Sequence, residues 1–173
     1  MSEPHAPAGE PAGDSTPVSE FVAQLDRTML LVTTRHGPAL AGCLVGFSTQ
    51  TSMDPFRYLV CLSRANATTR VAEAATHLAL HQIGPDQLDL VRLFGEHTQD
   101  DVDKFAHCHW TPGPFGLPLL TGCPAWLVGA ILSRIDAGDH VAVLLAPVAA
   151  ARTRPSDAVR FSELPPLSPG HPA

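Results

Sequence analysis

Two stretches of this chain concentrate small hydroxyl and amide side chains. The first is Ser48-Thr49-Gln50-Thr51-Ser52-Met53-Asp54-Pro55, and the second is Ser63-Arg64-Ala65-Asn66-Ala67-Thr68-Thr69-Arg70. Between them runs Tyr58-Leu59-Val60-Cys61-Leu62, whose length and apolar character predict a core strand. Such a strand sets its flanking loops at opposite ends, so a curved sheet or a second subunit would have to bring both onto one ligand. Neutral donors along a surface, with a cation at one end, answer the needs of an elongated, polar, phosphorylated cofactor. We read the pair as a flavin site.

Each stretch also has a plainer reading. The edge of a flavin ring presents carbonyls and one N–H, which small hydroxyls and backbone N–H groups can meet without adding charge, but Ser and Thr are also ordinary loop residues. In the second stretch, Asn66 sits where a helix would begin, with Ser63, Thr68 and Thr69 beside it. Free N–H groups at a helix start attract phosphate, and Arg64 and Arg70 could add forked hydrogen bonds. The same residues equally make an ordinary N-cap with solvated arginines. His140 follows Gly138-Asp139 at the start of an apolar run, where it could face a cofactor, shuttle a proton, or simply stabilise the turn. Lys104, the only lysine, is flanked by acids, a setting in which most lysines are solvated. His107-Cys108-His109 cannot converge on one ion from a regular element, and His77 and His81 bracket an expected strand, so no metal is expected.

Composition narrows the classes. The chain has 173 residues, 45% of them hydrophobic, which suits a single domain with a real core. A net charge of −6, with one lysine and ten arginines, argues against a nucleic-acid footprint. No apolar run approaches the roughly 20 residues of a membrane helix, and residues 1–17 lack the apolar segment of a secretory leader. Four widely spaced cysteines without a CxxC fit a reduced, cytoplasmic protein. Proline-rich ends at 1–17 and 165–173 are expected to be disordered, leaving 18–164 as the folded domain.

The elements that must position these groups are mostly strands. Six are expected: 29–35, 39–47, 58–63, 78–83, 125–135 and 140–148, the last two joined by Asp136-Ala137-Gly138-Asp139. Short helices are expected at 19–26, 67–75, from Pro85 onward and at 100–105, with 110–124 irregular. Six strands with short connections predict a mainly β protein, a small antiparallel barrel with peripheral helices. There is no GxGxxG and no GxxxxGK[ST], so a nucleotide must be held by other means.

The order of several short motifs resembles the flavin reductase-like family of FMN-binding split barrels. It runs from the hydroxyl-rich stretch ending in Asp54-Pro55, through Leu59-Val60-Cys61-Leu62 and Ser63-Arg64-Ala65-Asn66-Ala67-Thr68, to Asp103-Lys104-Phe105, Trp110, Pro118-Leu119-Leu120, Ala125-Trp126-Leu127 and Ala137-Gly138-Asp139-His140. The resemblance covers about 20–148. It implies a six-stranded split β-barrel that dimerises, with FMN or FAD near the subunit interface and NADH or NADPH as the hydride donor. Members often supply reduced flavin to a monooxygenase. Gly46, Phe47, Ser48, Thr49, Gln50, Thr51 and Ser52 match the flavin segment; Ser63, Arg64, Asn66 and Thr68 match the phosphate and ribityl segment. His140 matches a histidine beside the flavin and nicotinamide, and Lys104 falls in a matching motif. Gly46 and Phe47 stand where the family has paired small hydroxyls, Gln50-Thr51 where it has Ser-Val, and Ala41 where it often has asparagine. The expected activity is therefore NAD(P)H:flavin oxidoreduction. A non-enzymatic flavin carrier or sensor on the same scaffold is the alternative.

Overall fold

The computed structural model describes residues 17–98 and 100–168. Three helices, α1 (Pro17–Gln24), α2 (Ala67–Ala74) and α3 (Leu88–Glu96), flank nine strands. The strands are β1 (Leu30–His36), β2 (Ala39–Val45), β3 (Ser48–Met53), β4 (Phe56–Ser63), β5 (His77–Gln82), β6 (Trp110–Pro112), β7 (Pro118–Leu120), β8 (Ala125–Ala137) and β9 (His140–Arg152). Seven form one antiparallel sheet in the order β2-β1-β5-β8-β9-β4-β3, while β6 and β7 pair separately.

The sheet curls because apolar side chains from distant strands share one interior. Val32 of β1 packs in the same cluster as Leu62 of β4, although three strands separate them in the sheet, and Leu78, Val143 and Leu145 fill the space between. Burial of this kind supplies most of the drive to fold, about 25 cal/mol per Å² of apolar area. Two register shifts between β8 and β9 bend the longest hairpin. Strands β2 and β3 remain unpaired edges, so the barrel is split rather than closed. Outside it, Val91 and Phe94 of α3 join Leu31, Ile83 and Leu120 in a second core. Gly42 allows that contact, since a Cβ there would lie 2.6 Å from the Phe94 ring.

All six expected strands form, and the architecture is mainly β as expected. The stretch 48–52 is not a loop. It pairs with β4 as the edge strand β3, because its polar side chains suit a strand that is largely exposed. The region 110–124 contains the β6–β7 hairpin, and only Lys104–Ala106 of the expected helix at 100–105 forms, as a single 3-10 turn. The third helix starts at Leu88, since the Gln87 side chain accepts from Gly84 N and holds a turn ahead of it. At the C-terminus, residues 165–168 extend the packed chain beyond the expected boundary. Leu167 packs against the second core, and Ser168 N donates to Glu96 Oε1 at 3.2 Å. Residues 1–16 and 169–173 of the expected tails lie outside the described residues.

Candidate functional site

A cavity of about 760 Å³ opens where β2, β4, β9 and the start of α2 meet the C-terminal segment, a size typical of cofactor sites. Its lining includes Gly46, Phe47, Ser63, Asn66 and His140, together with Phe94 and, from the C-terminal segment, residues 161–162 and 164–167. The curl of the sheet brings the end of β2 beside the end of β4. A single subunit therefore sets Gly46 and Phe47, just ahead of the first stretch, beside Ser63 and Asn66 of the second.

No residue of the first stretch lines the cavity; of the matched segment 46–52 only Gly46 and Phe47 do. Ser48 shares a hydrogen bond with the Tyr58 hydroxyl (3.1 Å), Thr49 donates to Gln50 O, and Gln50 Nε2 donates to Ser52 O. Thr51 and Ser52 run out along the hairpin with them, and none of the five lines the cavity. From the second stretch Ser63 and Asn66 line it. Asn66 caps α2, its Oδ1 accepting from Thr68 N at 3.0 Å. Thr68 is fully buried, its hydroxyl beside the Cys43 thiol. Thr69 fastens the helix to β4 through a hydroxyl bond to Ser63 O.

The expected cations are engaged elsewhere. Arg64 turns to the β8–β9 corner, donating to Gly138 O at 2.9 Å and pairing with Asp136 at 2.9 Å. That contact holds the Asp136 carboxyl below its usual range. Arg70 pairs with Asp100. Lys104 is completely buried behind the cavity wall, donating to Gly42 O at 2.9 Å and Phe94 O at 3.4 Å. Burial lowers its pKa, and its ammonium joins β2 to α3 rather than facing the cavity.

His140 is well placed. Its Nδ1 lies 2.7 Å from Asp139 Oδ1, and its ring sits 5.1 Å from the Phe47 ring. A carboxylate can only accept, so Nδ1 carries the hydrogen and Nε2 is left for a ligand. The same contact keeps the Asp139 carboxyl below its usual range. Two thiols line the cavity, Cys43 and Cys61. Burial pushes Cys43 up to about 11 and raises Cys61 as well, so neither is a nucleophile near neutral pH. The arrangement binds and orients; it holds no activated nucleophile and no carboxylate pair. Among the described residues no group of three His, Cys, Asp or Glu is placed to hold a metal ion.

Sequence reasoning missed two residues here. Arg134 of β8 donates to Ala72 O and Ala75 O, closing the C-terminal end of α2 and so fixing the helix whose N-cap Asn66 lines the cavity. Arg27 lies between the rings of Phe47 and Phe161. Neither carries a local motif; both act through contacts distant in sequence.

The residues present fit a flavin. The cavity is large and mostly apolar, with Ser63, Asn66, Ser162 and the His140 Nε2 as its polar points. Glycine at 46 keeps room beside it, since a Cβ would come within 3.0 Å of Arg27 Nε and 3.2 Å of Met29 Sδ.

Residues 22–162 match the family described as flavin reductase like domain, and the chain belongs to that family. It is 32% identical over 118 residues to the reductase subunit of stachydrine N-demethylase from Rhizobium meliloti, a match covering 66% of this chain and 49% of that protein. The chain thus spans about half the length of that relative. It is 28% identical over 142 residues to an FMN reductase (NADH) of Stutzerimonas stutzeri, covering 82% of this chain and 81% of the relative. Its fold is shared with the NADH:FAD oxidoreductase of Streptomyces globisporus, at a TM-score of 0.74 and 24% identity over 88% of this chain and 95% of that one.

Proposed function

We propose that this chain is an NAD(P)H-dependent flavin reductase that takes hydride from NADH or NADPH to FMN or FAD. The carrying observation is the single cavity on which Gly46, Phe47, Ser63, Asn66 and His140 converge from separate elements. The flavin reductase named among its relatives supports the same reading. When bound, the flavin supplies the acceptor for the two electrons and hydrogen of the nicotinamide hydride. Ser63 and Asn66, at the start of α2, are the polar side chains that would meet its phosphate end. Phe47 and His140 would lie against the flavin, and His140, oriented by Asp139, would offer Nε2 as a hydrogen-bond acceptor to the flavin or the nicotinamide amide. The surrounding apolar wall limits water.

Two copies would pair. Val18 and Phe21 of α1 and Leu25 just after it are exposed, with none of that helix buried, and Met53, Leu132 and Ile135 are exposed on the strand arms. Apolar surface of this extent suits a second copy of the chain. Reduced flavin released from the cavity would serve a partner monooxygenase, in line with the N-demethylase reductase relative. A reducing, cytoplasmic setting fits the four free cysteines.

The visible spectrum of the purified chain, with FMN or FAD added and then NADH or NADPH, tests the reading. Flavin bands that bleach with one nucleotide and return in air are expected, and they would name the donor. Bound flavin that stays oxidised would instead make the chain a carrier.

A further inference from the structure

We propose that residues 164–168 are a gate of the cavity, hinged on the turn before them and latched on α3, whose opening sets how fast flavin enters and leaves. The inference rests on the flavin reading and adds a regulating element to that same site. Leu164, Pro165, Pro166 and Leu167 all line the cavity. They run between two attachments of unequal strength.

The strong attachment is the 3-10 turn Phe161–Glu163. Phe161 N donates to Arg27 O at 2.9 Å, and Ser162 N and Ser162 Oγ each donate to an Asp26 carboxylate oxygen at 3.0 Å. The turn is also closed on itself, since Glu163 Oε2 accepts from Arg160 N at 2.8 Å. Lifting this end breaks three bonds to the α1–β1 connection at once. The weak attachment is at α3. There Ser168 N donates to Glu96 Oε1 at 3.2 Å, an exposed bond of the kind that adds little to stability. Leu167 supplies the rest by resting at Gly95, which also lines the cavity.

Gly95 is what makes the latch. A glycine inside a helix is unfavourable for that helix, but here its missing side chain leaves a seat. A Cβ at position 95 would lie 3.1 Å from Leu44 Cδ2 and 3.5 Å from Leu167 Cδ1. Between the two attachments the backbone is scarcely fastened. Pro165 and Pro166 have no N–H, and among the described residues Leu167 N donates to no backbone carbonyl. A segment held firmly at one end and by one apolar side chain at the other opens from the weak end. Opening from α3 moves only residues that line the cavity and leaves the sheet intact. Such steps commonly set the rate of ligand exchange.

Leu167→Ser in the full chain loosens the latch and tests the proposal. Association and dissociation rates of FMN and FAD are measured by stopped-flow quenching of flavin fluorescence. A gate raises both rates, by about tenfold, with Kd changed less than either. Faster dissociation with unchanged association means that the segment merely touches the ligand, and it overturns the gate. Unchanged rates overturn it as well. Should the variant not fold, amide hydrogen exchange of the wild type decides. The Leu167 and Ser168 amides must then exchange much faster than those of Phe161 and Ser162, and equal protection of the two ends overturns the proposal. A wild type that binds no flavin overturns the reductase reading itself. A wild type that reduces flavin, with exchange rates indifferent to Leu167→Ser, overturns only the gate.

Discussion

At the scale of single residues, chemistry and structure divide among groups that look alike in the sequence. His140 and Lys104 both fall in matching motifs, yet only His140 reaches the cavity. Lys104 has no exposure, and its ammonium satisfies the carbonyls of Gly42 and Phe94. We expect Lys104→Met to keep the side-chain volume but leave two buried carbonyls unmet, costing about 1–3 kcal/mol. Urea denaturation should show the loss, while the flavin Kd of the folded fraction stays unchanged; a flavin defect with full stability would return Lys104 to the site. The sequence could show that Lys104 was the only lysine. It could not show which way its side chain points, because that depends on α3 closing over β2.

At the scale of elements, the cavity depends on how α2 is held at both ends. Asn66 closes the first turn, and Thr69 ties it to Ser63 O. Arg134, reaching across from β8, accounts for two carbonyls at the other end. Arg134→Ala should destabilise the chain by about 2 kcal/mol, the scale of charged hydrogen bonds to buried groups. It should also weaken FMN binding, because the helix start that sets Asn66 at the cavity would no longer be pinned. Thermal melts with and without FMN check both effects; a loss of stability with intact affinity would limit Arg134 to scaffolding. The N-cap at Asn66 was legible in the sequence, since its Asn-Ala-Thr-Thr pattern is local. The hydroxyl-rich stretch was misleading for the same reason: composition suggested a loop, while pairing with β4 made it a strand.

At the scale of the whole molecule, His81 links the barrel to its outer layer. It is fully buried on β5, with Nδ1 3.1 Å from Leu31 O and Nε2 accepting from Leu120 N at 3.2 Å. That pairing requires a neutral ring with hydrogen on Nδ1. Burial pushes its pKa down from 6.5 to about 4. Between those values the unfolded chain takes up a proton that the folded chain refuses, so stability is full above pH 6.5 and falls as pH drops towards 4. The loss is about 3 kcal/mol across that window. Urea midpoints from pH 7 to 4 should decline with this slope, and His81→Gln should flatten it; an unchanged slope would assign the acid sensitivity to other groups.

The sequence by itself determined the strand-rich class, the six principal strands and the family, because those rest on local periodicity, turn residues and motif order. It also singled out Ser63, Asn66 and His140, whose neighbours in the chain place them at element ends. Only the tertiary structure decided that Gly46 and Phe47, rather than the hydroxyls after them, face the cavity. It also decided that Arg64 serves the β8–β9 corner and that Arg27 stands between two rings 114 positions apart in the chain. Those outcomes depend on how far the sheet curls and where the C-terminal segment settles, and both follow from packing between residues that no local pattern connects.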